Sequence, residues 1–311
     1  MHVKPSLIII LGPTGVGKTS TALEIIEPLD GEIISADSMQ VYRRMNIGTA
    51  KPTPEEQARV RHNLIDVVDP DQEFNAAMFK DLADRVIHNL YQKGKPIFVV
   101  GGTGLYIRAL IQGLFPGAEG DETIRQALRK EAESMGATAL YTRLERIDPV
   151  AAKRIHHNDM YRIVRALEVF EVTGRRLSEL HRSHNFGQER YHTLKIGLTV
   201  ERGVLYQRID RRVDQMIESG LLREVKDLLN DGYLPNLKPM RSIGYRHMCE
   251  YCEGKLSWNE AVRTFKRDTR HYAKRQLTWF RRDHDILWFE PRQIDEIRMQ
   301  IDKFLSVRKK E

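Results

Sequence analysis

An apolar run, Leu7-Ile8-Ile9-Ile10-Leu11, passes directly into Gly12-Pro13-Thr14-Gly15-Val16-Gly17-Lys18-Thr19, and a helical pattern follows over residues 20–26. The spacing G-x-x-x-x-G-K-T restricts the fold more than any other feature of the chain. Its glycines let the backbone curl until several N–H groups converge on one point, a cradle for phosphate oxygens. The N-terminus of the following helix adds its positive end. Lys18 brings a mobile positive charge, and the Thr19 hydroxyl suits Mg²⁺. A loop of this kind sits between a buried strand and a helix. It commits the chain to an α/β core with the phosphate site at the carboxyl ends of its strands.

Further short apolar runs at 32–35, 64–68, 97–100, 194–200 and 286–289 alternate with helical patterns at 76–92, 205–229 and 259–282. Continuous apolar strands separated by helices predict a parallel sheet covered on both faces. The alternation lapses between residues 117 and 190, a stretch rich in Ala, Leu, Glu and Arg that reads as helix throughout. Loop-like sequences bound it, Phe115-Pro116-Gly117 on one side and Ser183-His184-Asn185-Phe186-Gly187 on the other. The expected organisation is a P-loop α/β core of residues 1–116 and 191–311, with its parallel β-sheet flanked by helices. A mostly helical inserted domain of residues 117–190 interrupts it. Residues 307–311 are expected to fray.

No apolar run reaches the length of a membrane span. The start, Met1-His2-Val3-Lys4-Pro5, runs straight into the first strand and leaves no room for a signal peptide, so cytoplasm is the expected location. Cys249 and Cys252 form a lone C-x-x-C with no second pair to complete a zinc site, and read as ordinary reduced thiols. His156 and His157 have no companion ligands at metal spacing and read as surface histidines. The net charge is +7, and residues 241–282 hold eleven Lys/Arg against four Asp/Glu, a surplus equal to that of the whole chain. Basic charge so localised points to a polyanionic partner, although a solvated helical face has the same composition.

A phosphate-loop NTPase needs an Asp at the end of a later core strand to hold Mg²⁺. The run 97–100 ends instead in Gly101-Gly102-Thr103-Gly104-Leu105-Tyr106, which offers backbone and a hydroxyl. This argues against ATP hydrolysis. The run 32–35, expected beside the first strand because sequential strands are usually neighbours, leads to Asp37. A carboxylate beside a bound phosphate repels it and so needs another use. It can be a general base for an incoming nucleophile, or a Mg²⁺ ligand through water. A helix N-cap is the alternative. Ser38 and Gln40 flank it with groups able to read the edge of a base.

More extended matches are Ile34-Ser35-Ala36-Asp37-Ser38-Met39-Gln40-Val41-Tyr42-Arg43, Asn46-Ile47-Gly48-Thr49-Ala50-Lys51-Pro52, His62-Asn63-Leu64-Ile65-Asp66, the Gly101–Tyr106 turn, Asn158-Asp159 with Arg162 to Thr173-Gly174, and two basic segments, Arg241-Ser242-Ile243-Gly244-Tyr245-Arg246 and Ala273-Lys274-Arg275-Gln276-Leu277-Thr278-Trp279-Phe280-Arg281. In this order, over most of the chain, they resemble the tRNA dimethylallyltransferase family. The resemblance implies transfer of a dimethylallyl group from dimethylallyl diphosphate to the exocyclic N6 of an adenine. That adenine lies just 3′ of the anticodon in tRNAs reading codons that begin with U. By the same resemblance the phosphate loop holds the diphosphate leaving group, with Mg²⁺ on Thr19. Asp37 accepts the N6 proton, Thr103 lies near the reacting groups, and Arg212 clamps the diphosphate, with Arg208 and Arg211 as alternatives. Contacts with the tRNA anticodon stem-loop are implied for Asp37, Ser38, Met39, Gln40 and Thr103. They are also implied for Arg125, Tyr161, Arg162, Ile163, Val164 and Arg165 in the insert, for the 241–246 segment, and for Lys274 through Arg281. Asn46 stands where many members carry Asp and is assigned no catalytic role.

Projection of residues 262–281 on a helix puts Val262, Phe265, Thr269, Tyr272, Gln276 and Trp279 on one mostly apolar stripe. Arg263, Lys266, Arg267, Arg270, Lys274 and Arg281 fall largely opposite, placed to track a phosphate backbone. Arg241, Tyr245 and Arg246 suit stacking on unstacked bases. In the insert, Arg162 and Arg165 share a helical face. They are expected to meet the anticodon loop, or alternatively to be salt-bridged by Asp159 and Glu168. The target base must leave its stack, so a channel is expected, with RNA entering one side and the diphosphate the other. Two other classes stay open at this level: a phosphate-loop kinase with Asp37 activating the acceptor, and a non-catalytic RNA-binding protein, which leaves the pairing of Lys18 with Asp37 unexplained. No spare apolar helix stripe is evident, so a monomer is expected.

Overall fold

Every residue of the first strand, β1 (Ser6–Leu11), is buried, because packed layers cover both of its faces. Leu7, Ile9 and Leu11 belong to one hydrophobic cluster, Ile8 and Ile10 to another. The computed structural model describes residues 4–115, 120–184 and 189–307. Along the core, β1 is followed by α1 (Lys18–Ile26), β2 (Glu32–Ala36), α2 (Pro54–Arg59), β3 (His62–Asn63), α3 (Ala76–Gln92), β4 (Ile97–Gly101) and α4 (Gly104–Gln112). Five helices come next: α5 (Glu122–Met135), α6 (Ala137–Ile147), α7 (Pro149–Ala152), α8 (Met160–Thr173) and α9 (Leu177–His184). The chain closes with β5 (His192–Leu198), α10 (Arg202–Glu218), α11 (Leu221–Asn230), α12 (Tyr245–Cys252), α13 (Trp258–Phe280), β6 (Leu287–Phe289) and α14 (Ile294–Val307).

The six strands form one sheet, order β3-β2-β4-β1-β5-β6, and all pairs are parallel. The expectation that β2 adjoins β1 is corrected: β4 lies between them, with Val99 opposite both Ile9 and Ile34. The two strands still end together, so their following loops reach the same region. A second correction concerns 64–68, read as a strand. Pairing stops after His62–Asn63, because Leu64 and Asp66 adopt left-handed backbone (φ 64° and 55°), which a strand cannot continue. Only Val68 bridges back, to Tyr42. Third, 205–229 is two helices. Gly220, with φ 97°, caps the start of α11 and breaks the run.

Contact clustering separates Met1–Ile111 with Tyr191–Glu311 from Gln112–Arg190. The second unit has its own core, in which Leu140, Leu144, Ile163 and Leu167 are fully buried. Aspartates 121, 148 and 159 cap the starts of α5, α7 and α8 through their side chains. Pro116, Gly117, Asn185, Phe186, Gly187 and residues 308–311, read above as loops or tail, lie outside the described residues. Among the described residues no helix is long and apolar enough to cross a membrane.

Candidate active site

The carboxyl ends of β1, β2 and β4 contribute to one cavity of about 280 Å³. Thr14, Gly15, Gly17, Lys18 and Thr19 line it from the phosphate loop, Asp37 from the loop after β2, and Gly101 from the end of β4. Arg212 of α10 and Tyr272 and Gln276 of α13 complete this part of the wall. The sequence separates these groups by up to 262 residues; the parallel sheet brings the loops together because its strands all end on one side.

Lys18 folds back over its own loop, donating to the carbonyls of Gly12 (3.0 Å) and Pro13 (2.9 Å). Burial pulls its ammonium down to about 8; the Arg212 charge pulls the same way, and Asp37 opposes both. Burial likewise lowers Arg212, against the attraction of Asp37. Beside the phosphate loop, Lys18 and Arg212 outnumber Asp37, which favours an anion there; the second carboxylate of the lining, Glu56, is engaged by the Thr53 N–H at 2.9 Å. The three arginines expected near the diphosphate lie in different places. Arg212 lines the cavity, Arg208 donates to the Val16 carbonyl at 2.9 Å and so braces the loop, and Arg211 is exposed.

No helix begins after Asp37, so it is not a helix N-cap; it closes a turn and lines the cavity at once. Its Oδ1 accepts from the Met39 N–H at 2.8 Å and the Gln40 N–H at 3.4 Å. Among the described residues Oδ2 has no hydrogen bond, so one oxygen is fixed while the other remains available. Thr103 does not line the cavity directly: its Oγ1 accepts the Ser38 N–H (3.0 Å) and meets Tyr272, holding the Asp37 loop in place. Gln40 is spent internally. Its Oε1 accepts from Ser35 Oγ, and its Nε2 donates to the Ala50 carbonyl at 3.2 Å. The side-chain amide therefore ties the end of β2 to the next loop while lining the same cavity. Met39 packs against the core. For a hard cation the cavity offers the Thr19 hydroxyl and the Asp37 carboxylate. This sparse oxygen set fits Mg²⁺, which keeps most of its waters and takes other ligands from phosphate. Among the described residues no cluster of three His, Cys, Asp or Glu suits a metal.

Helix α13 keeps most of the projected apolar stripe, with Phe265 and Gln276 buried and Val262, Thr269 and Tyr272 half-buried, but not the fully open cationic face. Its buried side is Ala261, Phe265, Ala273, Gln276 and Phe280, with Trp279 exposed. Two cations assigned to the outer face turn inward to α10: Lys266 pairs with Asp214 and Arg270 with Asp210, both at 2.6 Å, and Arg267 pairs with Asp268. The helix projection missed the first two because Asp210 and Asp214 lie on α10. Lys274, Arg275, Thr278, Trp279 and Arg281 are exposed; Leu277 is half-buried. Within 241–246, Tyr245 is fully buried and donates to Glu224 at 2.5 Å, so it cannot stack on a base. Glu224 also accepts the N–H groups of Asn46, Ile47 and Gly48, a latch that no local motif announces. Arg246 pairs with Asp268 at 2.7 Å, Ser242 and Ile243 are half-buried, and Gly244 caps α12; Arg241 is exposed. Both cysteines are free thiols: Cys249 is buried, which pushes its thiol up to about 12, and Cys252 is exposed.

In the insert, Tyr161 (77% exposed) and Arg162 reach solvent. Ile163 and Val164 are core residues. Arg125 and Arg165 both pair with the buried Glu168, at 3.0 and 2.8 Å; of the two readings of this helix, these are the contacts of the salt-bridged one. His156 and His157 are exposed and stack on each other.

A family model described as IPP transferase matches residues 40–283. A tRNA dimethylallyltransferase 2 of Geotalea uraniireducens is 54% identical over 287 residues, 92% of this chain and 93% of that one. A tRNA dimethylallyltransferase of Geobacter metallireducens is 53% identical over 295 residues, covering 94% and 96%. Among solved structures, the full-length tRNA isopentenylpyrophosphate transferase of Bacillus halodurans superposes with a TM-score of 0.74 at 44% identity, covering 99% of both chains. A eukaryotic dimethylallyltransferase acting on tRNA gives 0.80 at 29% identity, covering 98% of this chain and 77% of that one.

Proposed function

The chain belongs to the IPP transferase family, and we propose how its residues divide that family's reaction among them. The enzyme transfers a dimethylallyl group to N6 of a tRNA adenine, the one adjoining the anticodon on its 3′ side in tRNAs that read codons beginning with U. The donor is dimethylallyl diphosphate. One observation carries the assignment of roles: a single cavity gathers Lys18, Thr19 and Arg212 with Asp37, whose Oδ2 is open, while its other carboxylate, Glu56, is engaged by the Thr53 N–H and β4 ends in glycine where an ATP-splitting site keeps an Asp.

An adenine amine is a weak nucleophile, because its lone pair is delocalised into the ring. The allylic carbon must therefore carry positive charge before attack. Lys18, Arg212 and the loop N–H groups stabilise the negative charge that gathers on the diphosphate as the C1–O bond breaks and its electron pair leaves with oxygen. Mg²⁺ held at Thr19, with Asp37 reached through water, would supply further charge neutralisation at the same oxygens. N6 bonds to C1, and Asp37 Oδ2 takes the N6 proton while Oδ1 stays fixed by two backbone N–H groups. Exposed side chains bind the tRNA: Arg241, Lys274, Arg275, Trp279 and Arg281 in the core unit, Tyr161 and Arg162 in the insert. The protein acts as a monomer in the cytoplasm.

The test is incubation with tRNA and either labelled dimethylallyl diphosphate or γ-labelled ATP. Label enters tRNA from the first and not the second. Transfer from ATP, or none from either, rejects the reading.

A further inference from the structure

Gln276 touches two loops of the cavity at once. Its Oε1 accepts the Thr14 N–H at 2.9 Å, and its Nε2 donates to the Gly102 carbonyl at 2.9 Å. The orientation of the amide is dictated by its partners, since a backbone N–H can only donate and a carbonyl can only accept. The side chain is 7% exposed, too buried for the RNA contact expected from sequence. A Cβ on Gly102 would stand 2.3 Å from Nε2, so the approach needs glycine there. Two neighbours on the same helical face grip the same turn: Tyr272 meets Thr103, and Trp279 lies 2.3 Å from where a Gly104 Cβ would be.

We infer that Gln276 is a positioning residue for the donor diphosphate. It touches no reacting atom. It sets the phosphate loop relative to the β4 turn by fixing the Thr14 amide, and so shapes the cradle in which Lys18 and the loop N–H groups hold phosphate. The amide is specifically required: Met has its length and none of its hydrogen bonds, and Glu keeps the bond from Thr14 but sets a carboxylate against the Gly102 carbonyl and beside a bound anion. The inference rests on the donor reading above.

Calorimetric titration with inorganic diphosphate in Mg²⁺, together with steady-state kinetics, tests it. Gln276→Met is expected to bind diphosphate about tenfold more weakly and to raise the donor KM by a similar factor, with the tRNA KM changed by less than about twofold. Gln276→Glu is expected to weaken diphosphate further than Gln276→Met. A purely structural role would lower both variants alike and raise both KM values. Diphosphate bound by Gln276→Met as tightly as by the unaltered protein, or a tRNA KM rising in parallel, overturns the inference. Unaltered protein that binds no diphosphate instead rejects the donor reading itself. Gln276→Ala removes the same bonds without bulk and gives the same measurement where Gln276→Met fails to fold.

Discussion

Glu168 in the insert sits fully buried between Arg125 and Arg165 and also accepts the Asp121 N–H at 2.7 Å. Asp37 in the core has two cations within electrostatic reach, Lys18 and Arg212, and among the described residues forms an ion pair with neither. The residue types match, and the outcomes are opposite. In the insert the charges satisfy one another, and their work is finished once the unit has folded. In the cavity they are held apart, so the desolvation of Lys18 and Arg212 stays uncompensated until an anion arrives. That shows in the depressed ammonium of Lys18. A charged cluster whose members decline to pair is thus a mark of a binding site, and one whose members pair is a mark of a core.

The comparison can be broken most sharply at Asp37. Asp37→Asn keeps the turn geometry and removes the base, so single-turnover transfer at saturating donor should fall about a thousandfold with tRNA affinity nearly unchanged. Unaltered turnover would remove Asp37 as the base. At Glu168 the opposite pattern is expected. Glu168→Gln leaves two arginines short of a partner and should cost about 3 kcal/mol in urea unfolding, without weakening diphosphate binding by the core. Burial alone would raise this carboxyl, but Arg165 and Arg125 outweigh it and hold it below its ordinary range. Its contribution is therefore present above the unfolded carboxylate value and lost as pH falls through the folded one. The variant should lose that acid dependence.

A smaller effect follows from Lys18. With its folded pKa near 8, the free protein loses this charge as pH rises through that value, so diphosphate affinity should fall by up to about tenfold per pH unit above it. Binding there should take up a proton. Lys18→Met should flatten this profile, and an unchanged slope would assign it to another group. For stability the sign is reversed: between about 8 and the ordinary lysine value the unfolded chain holds more protons, so the fold gains from rising pH. The smallest effect is expected at Lys266. Its pair with Asp214 is partly exposed, so Lys266→Ala should cost no more than about 1 kcal/mol, and less in high salt. A loss well above that would show that α10 and α13 depend on this pair.

What could be read from the residues was local in origin. The phosphate loop, β1 and the Ala76–Gln92 helix are set by neighbours a few positions away, and their signals are dense. The position of β4 between β1 and β2 was not legible, since an apolar strand carries no mark of which partner it will choose. Nor was the break after Asn63, which depends on left-handed residues that are not glycine. At the site, Lys18 and Asp37 are readable because their motif or position stands out, whereas Arg212 rests on the family resemblance, with Arg208 and Arg211 beside it. The stripe puts Gln276 on the buried face, but nothing in the spacing gives its partners, and the ring of Tyr245 looks suited to stacking on a base. Both have their partners on remote segments: Thr14 and Gly102 for one, Glu224 for the other. No spacing rule connects such pairs, and only the packed chain does.

The strand order also has a consequence for how the molecule is made. Of these six strands β1 is made first, yet both of its neighbours come late: β4 begins at Ile97 and β5 at His192. Until then its two hydrogen-bonding edges and both apolar faces lack their final cover. The phosphate loop attached to it can close only after nearly two-thirds of the chain has been synthesised, and Gln276 comes later still. Folding of the insert as a unit draws the ends of its own segment together, shortening the tether between β4 and β5 before they flank β1. Slow synthesis past residue 190 would lengthen the interval in which a bare, sticky central strand waits for its last partner.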